Sequence, residues 1–350
     1  MRGRSRWHGP SGSEHLGWVI ADSDGLLTTD DQRLATNDQP WRLMSILVVG
    51  SVAFDTIATP SGRVNDILGG AATYFALAAS YFADVRVVAV VGDDFTSEHE
   101  AVLTKRGVDT LGIERTNGKT FRWGGQYLDN LNEAKTDFTE LNVFERFQPR
   151  IPKEYLDTPF LFLANIHPAL QAAVRLEMAG VRLTGGDTMN FWIQRTPGEL
   201  AETLKLVNLL LINDTETKML AAEKNLPRAA RKVLAMGPQG LVVKHGEYGA
   251  TIFFREGAFG IGSHPFRAPA LPIDEVKDPT GAGDSFAGGF MGYIASQGEI
   301  NREVLKRALF YGGVMGSFAV ERFGTERLQN LTREEIEARF QVFRELTHLG

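Results

Sequence analysis

The chain has 350 residues, 43% hydrophobic and 23% charged, enough to bury the core of one large α/β domain with at most a small appendage. Its formal net charge of −6 gives no overall basic field and argues against nucleic acid as a partner, while leaving room for a local phosphate pocket. The absence of cysteine excludes disulfides, thiolate metal sites and a cysteine nucleophile, and with no apolar run near the roughly 20 residues that span a bilayer and no secretory signal, a cytoplasmic protein without a membrane partner is expected.

Residues 1–43 mix Ser, Gly, Asp and Arg without periodicity, which predicts a disordered extension or the product of an upstream start, ahead of a domain spanning 44–345. Residues 46–49 are a compact apolar run closed by Gly50, the pattern of a buried parallel strand. Further strands are predicted at 85–91, 160–164, 181–184, 209–212 and 241–244, with helices at 71–82, 98–106 and 227–236 among them. This is the rhythm of a mostly parallel sheet covered on both faces. Segments around 56–68 and 118–130 break it and read as exposed strands that pair into a small antiparallel sheet, a projecting lid. Alternation sends Phe121, Trp123 and Tyr127 to one face of that sheet and Arg122 and Gln126 to the other. Facing a pocket, the aromatics would stack on a nucleobase or the apolar side of a sugar; facing outward, they would form the seam of a homodimer. Asn165 follows one predicted strand, and Asp187 with Asn190 follow another, where a cleft opens in such sheets.

The most informative segment is Asp278-Pro279-Thr280-Gly281-Ala282-Gly283-Asp284. Pro279 breaks the preceding element, Gly281 and Gly283 allow unusual dihedrals, and Asp284 opens an apolar stretch that reads as a helix to Ile294. Such a turn aims N–H groups at one spot, and glycines let a phosphoryl group come close. A carboxylate there can take the proton of an attacking hydroxyl while the amides hold the charge on the transferring group. A plain helix cap is the competing reading of Asp284. The P-loop pattern is missing, and a dinucleotide fingerprint would need glycine where Phe286 stands. Metalloprotease and protein-kinase catalytic-loop patterns are missing as well.

The Gly281-Ala282-Gly283-Asp284 turn with its Asp278-Pro279-Thr280 lead resembles the C-terminal motif of the ribokinase-like, or PfkB, carbohydrate kinases. Three more landmarks fall in order: the Gly50-Ser51-Val52-Ala53-Phe54-Asp55 stretch, Gly69-Gly70, and Asn213-Asp214-Thr215-Glu216. The resemblance runs from about residue 46 to 339 and implies a three-layer sandwich with a mostly parallel central sheet and a small β-strand lid. It implies an ATP-dependent phosphotransferase acting on an alcohol group of a sugar or sugar-like molecule, with Asp284 as base and residues 281–283 as anion hole. A nucleoside kinase of the same family and a non-catalytic ligand sensor on the fold are the alternatives.

The resemblance also assigns roles that the residues alone leave open. Asp55 is expected to grip substrate hydroxyls beside Gly69 and Gly70, with Asn165 and Asp187 at the cleft; its plain role is a turn residue. The family often has Asn where this chain has Tyr74. Asn213 and Glu216 are expected near Mg2+ and the ATP phosphates, with Glu216 acting through water, although Asn followed three residues later by Glu is also a capping box. Lys244, Gly246 and Gly249 match the strand and turn near the nucleotide, Lys244 reading either as a phosphate contact or as a solvated strand-end charge. Asp278 matches a position that belongs, in several members, to a monovalent-cation site, here K+.

Overall fold

A computed structural model describes residues 44–128, 131–260, 262 and 264–347; the extension predicted at 1–43 lies outside them. The strands run β1 (Ser45–Val49), β2 (Ala53–Thr59), β3 (Gly62–Gly69), β4 (Asp84–Val91), β5 (Asp109–Arg115), β6 (Phe121–Gln126), β7 (Lys135–Glu140), β8 (Phe160–Leu163), β9 (Leu183–Gly186), β10 (Leu209–Asn213), β11 (Gly240–Lys244), β12 (Ala250–Phe254) and β13 (Phe266–Ala268). The helices that matter for the site are α1 (Ala71–Ala79), α2 (Ser97–Thr104), α3 (Asn190–Arg195), α4 (Asp214–Leu220), α5 (Ala282–Gln297) and α6 (Arg302–Ala319).

Nine strands form one sheet in the order β13-β12-β11-β10-β9-β8-β1-β4-β5. It is parallel from β11 to β5, and only the β11–β12 and β12–β13 pairs at one edge are antiparallel. Strand β8 is apolar at every position and β1 and β10 at all but one each, because both faces are covered. Along β1, Ile46 and Val48 point into one core and Leu47 and Val49 into the other, so the sheet is the middle layer of three. Among the described residues no helix is long and apolar enough to cross a membrane.

One helix packing decides where the site stands. Gly288 of α5 faces the carbonyl of Phe75 on α1, and a Cβ on Gly289 would stand 2.6 Å from the carbonyl of Tyr311 on α6. Helix α5 is thus wedged between α1 and α6, with glycines where the backbones approach. Small residues at these positions fix its N-terminus against the start of α1.

Two elements differ from expectation. Strand β9 lies two residues later than predicted, because Gly185 and Gly186 belong to it; a Cβ on Gly185 would stand 2.8 Å from the sulfur of Met291, so these glycines serve close packing and do not end the strand. The second sheet has the order β3-β2-β6-β7, and although β2–β3 and β6–β7 pair antiparallel, β2 and β6 pair in parallel. The purely antiparallel sheet expected from the sequence is corrected accordingly. The cause is topological: β2 follows β1 and β6 follows β5, two parallel strands of the main sheet, so both enter the second sheet in the same sense.

Candidate active site

The segment leading into α5 is tied down before it turns. Asp278, fully buried, accepts hydrogen bonds from the Thr280 N–H through Oδ1 and the Gly324 N–H through Oδ2, both 2.8 Å. Gly281 then adopts φ 72° and ψ 0°, left-handed backbone that glycine takes without strain. A Cβ there would also collide with the ring of Tyr74. The Ala282 N–H donates to the Pro279 carbonyl at 3.2 Å, so of the three amides expected in the cradle it is engaged, while the Gly281 and Gly283 N–H groups have no acceptor among the described residues. No side chain caps α5. Asp284 sits inside the first turn, three residues past the N-cap glycine, and the cap reading does not describe it.

Several carboxyls lie in and around this turn, and three of them are pushed up to about 7. Asp55, 4% exposed in the middle of the buried run of β2, lies against Gly69 and accepts a hydrogen bond from the Gly70 N–H. A side chain at 69 would take the space this carboxylate occupies, and one at Gly70, the N-cap of α1 at φ 92°, would run into the Ser51 carbonyl. Burial and then the negative charges of Asp278 and Asp284 push Asp55 up to about 7, the Gly70 bond opposing. Asp284 is pushed up to about 7 by burial and then Asp187, with Lys244 opposing. It is partly accessible by area yet sunk among protein atoms. Glu216 is pushed up to about 7 by burial and Asp187, again with Lys244 opposing.

Lys244, at the end of β11, is the cation that these acids share. Its Nζ lies 3.6 Å from Asp187 Oδ2, the two side chains being 18% and 11% exposed. Burial alone would lower its ammonium, but Asp187, Glu216 and Asp284 hold it above its ordinary value. Burial pushes Asp187 up, Lys244 partly offsetting it. The same Nζ would stand 3.1 Å from a Cβ on Gly283, so Lys244 flanks the turn rather than facing solvent.

The remaining candidates have local partners. Asn213 Oδ1 accepts from the Glu216 N–H at 2.7 Å and Glu216 Oε2 from the Asn213 N–H at 2.8 Å, a reciprocal capping box at the head of α4. Asn165 Oδ1 accepts from Trp192 Nε1 of α3 at 2.8 Å, which holds that indole in place. Gly246 and Gly249, at φ 58° and 92°, shape the tight turn between β11 and β12, Gly249 N–H bonding Gly246 carbonyl at 3.1 Å. The structure brings Asp55, Gly69, Gly70, Asp278 and the 281–284 turn together, and Asp187, Glu216 and Lys244 beside them.

Two contacts escaped the sequence. Thr280 Oγ1 donates to Tyr127 Oη at 3.2 Å, joining the end of β6 to the turn. Trp123 is the register partner of Asp55 across β2 and β6 and therefore shares its face. The indole lies over Gly125, with Nε1 donating to Thr136 Oγ1 at 3.3 Å. The alternation of 121–127 carried the grouping of the aromatics; only the register tells which face meets the carboxylate.

Residues 44–331 match the profile of the pfkB family carbohydrate kinases. The chain belongs to this family. This pfkB kinase is therefore an enzyme, a phosphotransferase, and the reading as a non-catalytic ligand sensor falls away. It is 30% identical over 282 residues to the cytidine kinase of Thermococcus kodakarensis, covering 76% of this chain and 97% of that protein. Similar folds include the Burkholderia thailandensis nucleoside kinase in complex with inosine, at TM-score 0.67 and 21% identity over 85% of this chain and 98% of that one. A putative ribokinase II from E. coli in complex with ATP and Mg2+ aligns at TM-score 0.69 and 20% identity, over 86% of this chain and 100% of that one. The pfkB kinase shares with them the ribokinase-type architecture of a large, mostly parallel sheet and a small second one.

Proposed function

We propose that this pfkB kinase transfers the γ-phosphoryl group of ATP to an alcohol of a nucleoside, with Asp284 as the catalytic base. The observation that carries the choice of acceptor is the pairing of Trp123 with Asp55. A buried carboxylate that can accept from sugar hydroxyls stands beside a half-exposed indole on the same sheet face, and a sugar bearing a base fills both. The identity with a cytidine kinase over nearly that protein's whole length supports the same acceptor. A free sugar would use Asp55 and leave the indole idle.

In this reading the second sheet is the lid, and Asp55 holds the sugar with the reacting hydroxyl toward Asp284. The acceptor oxygen forms a bond to the γ-phosphorus, the bond to the β–γ bridging oxygen breaks, ADP leaves, and the hydroxyl proton passes to the Asp284 carboxylate. The Gly281 and Gly283 amides and the Lys244 ammonium face the charge that spreads over the transferring oxygens. Asp187 holds Lys244 for that task, and Gly246 and Gly249 give the nucleotide a close backbone approach. Glu216 spends one carboxylate oxygen in its capping box and offers hard oxygen chemistry beside the turn, which suits Mg2+ arriving on phosphates with its waters retained. Held there, Mg2+ would supply positive charge to offset that of the phosphates. K+ beside Asp278 belongs to the same reading, since Asp278 presents a buried carboxylate beside the turn. So do a cytoplasmic location, which suits a chain without cysteine, and a dimer through the lid, whose edge strand β7 is exposed along its whole length.

A coupled ADP-release assay over ribonucleosides and free sugars tests the acceptor. Turnover of at least one nucleoside with kcat/KM about tenfold or more above any free sugar is expected. Turnover confined to free sugars would overturn the nucleoside assignment while leaving the kinase intact.

A further inference from the structure

The segment that leads into the α5 turn has no regular structure of its own, and its backbone bonds divide by direction. Its N–H groups go to the end of α6, where Lys277 N–H and Asp278 N–H donate to the Val320 carbonyl at 2.8 and 3.4 Å. Its carbonyls go to the β2–β3 hairpin, where Thr59 Oγ1 donates to the Lys277 carbonyl at 2.8 Å and Ser61 Oγ to the Val276 carbonyl at 3.2 Å. A second contact reaches the other loop on which Asp278 leans. A Cβ on Gly324 would stand 2.6 Å from Ile67 Cδ1, and the Gly324 N–H is the donor that holds Asp278 Oδ2. Ile67 is the register partner of Asp55, and Thr59 ends the strand that carries Asp55. The hairpin that bears Asp55 therefore also props both loops that fix the turn.

The hairpin does not need the long bond for itself. Thr59 Oγ1 already accepts the Ser61 N–H at 3.1 Å, the local bond of a hydroxyl at a turn, and Thr59 pairs with Gly62 in the ladder. Its donation to a carbonyl 218 positions along the chain serves the far partner. Ser61 is exposed, where water competes for its bond, so Thr59 carries the link. We propose that Thr59 is a positioning residue for phosphoryl transfer, holding the Lys277–Asp278 segment so that the amides of the following turn meet the transferring group in register with the acceptor on Asp55. The proposal rests on the kinase reading of this cleft and goes beyond it, since it assigns a role to a residue outside the groups that meet the substrates.

Thr59→Val keeps the shape, suits a strand equally well and removes the hydroxyl; Thr59→Ser keeps the hydroxyl. Both would be compared with wild type in steady-state turnover of ATP and the acceptor of highest kcat/KM among ribonucleosides and free sugars, with thermal melts in parallel. In Thr59→Val, kcat should fall about tenfold, the scale of effect expected when a remote substitution shifts the reacting groups by a fraction of an ångström. KM for each substrate should stay within about threefold and the melting temperature within a few degrees, and Thr59→Ser should restore kcat to within about twofold. A folded Thr59→Val that turns over at nearly the wild-type rate, a loss that Thr59→Ser does not restore, or a loss confined to KM for the acceptor would overturn the proposal. A wild-type protein inactive on every acceptor would overturn the kinase reading and this proposal with it, whereas an active wild type with an unaffected Thr59→Val overturns this proposal alone.

Discussion

Burial does most of the chemical tuning at Asp284, Asp55 and Glu216. It raises each carboxyl, with neighbouring acids adding and Lys244 or a backbone N–H subtracting, to about 7. A base poised there is half ionised near neutrality, where proton transfer is best matched to the reaction. Only the ionised form of Asp284 accepts a proton, so kcat/KM should climb as pH rises through about 7. Stability runs the other way. These groups titrate higher in the folded state than the roughly 4 of an unfolded carboxyl, so their contribution is fully present below about pH 4 and is lost as pH passes about 7. A pH–rate profile with parallel thermal melts should show activity rising while the melting temperature falls between about pH 5 and 8. Activity that is flat across that range would show that no carboxyl near 7 governs turnover.

At the scale of the element, the turn into α5 separates two kinds of glycine. Gly281 is left-handed and pressed against Tyr74, so Gly281→Ala strains the backbone by about 1–2 kcal/mol and displaces a buried ring. Gly283 has ordinary helical backbone, and its nearest neighbour is the mobile end of Lys244, 3.1 Å from a would-be Cβ. Gly283→Ala should keep the melting temperature of the wild type within a few degrees and still lower kcat about tenfold or more by crowding the phosphoryl cradle. Gly281→Ala should lower both. If Gly283→Ala turned over normally, the cradle would lie elsewhere. This turn was legible in the sequence because proline and glycine spacing dictates local backbone. Strands β1, β4, β8, β10 and β11 were legible because strands buried on both faces read as apolar runs. Strand β7, with every residue exposed, has no apolar period to read. The parallel pairing of β2 with β6, the Lys244–Asp187 ion pair and the Tyr74 ring on Gly281 are contacts between distant segments, and local pattern says nothing of which distant segments meet.

Across the whole molecule, the two sheets do different work. The nine-stranded sheet and its helices hold α5 rigidly between α1 and α6, which places Asp284 and the amide cradle at the end of a packed helix. The four-stranded sheet, tied to the lead of that turn through Thr59 Oγ1 and the Lys277 carbonyl at 2.8 Å and through Tyr127 and Thr280, carries Asp55 and Trp123. In the proposed mechanism the acceptor is thus held by one sheet and the phosphoryl by the helix of the other, with Asp284 between them. Asp284→Asn keeps the size of the side chain and removes only the base, so turnover and ATP affinity measured on that variant test the account most directly. ATP binding should stay within a few-fold of wild type while kcat falls by about 10² or more, the range for loss of a positioned general base. A folded Asn variant that turned over at nearly the wild-type rate would contradict the mechanism.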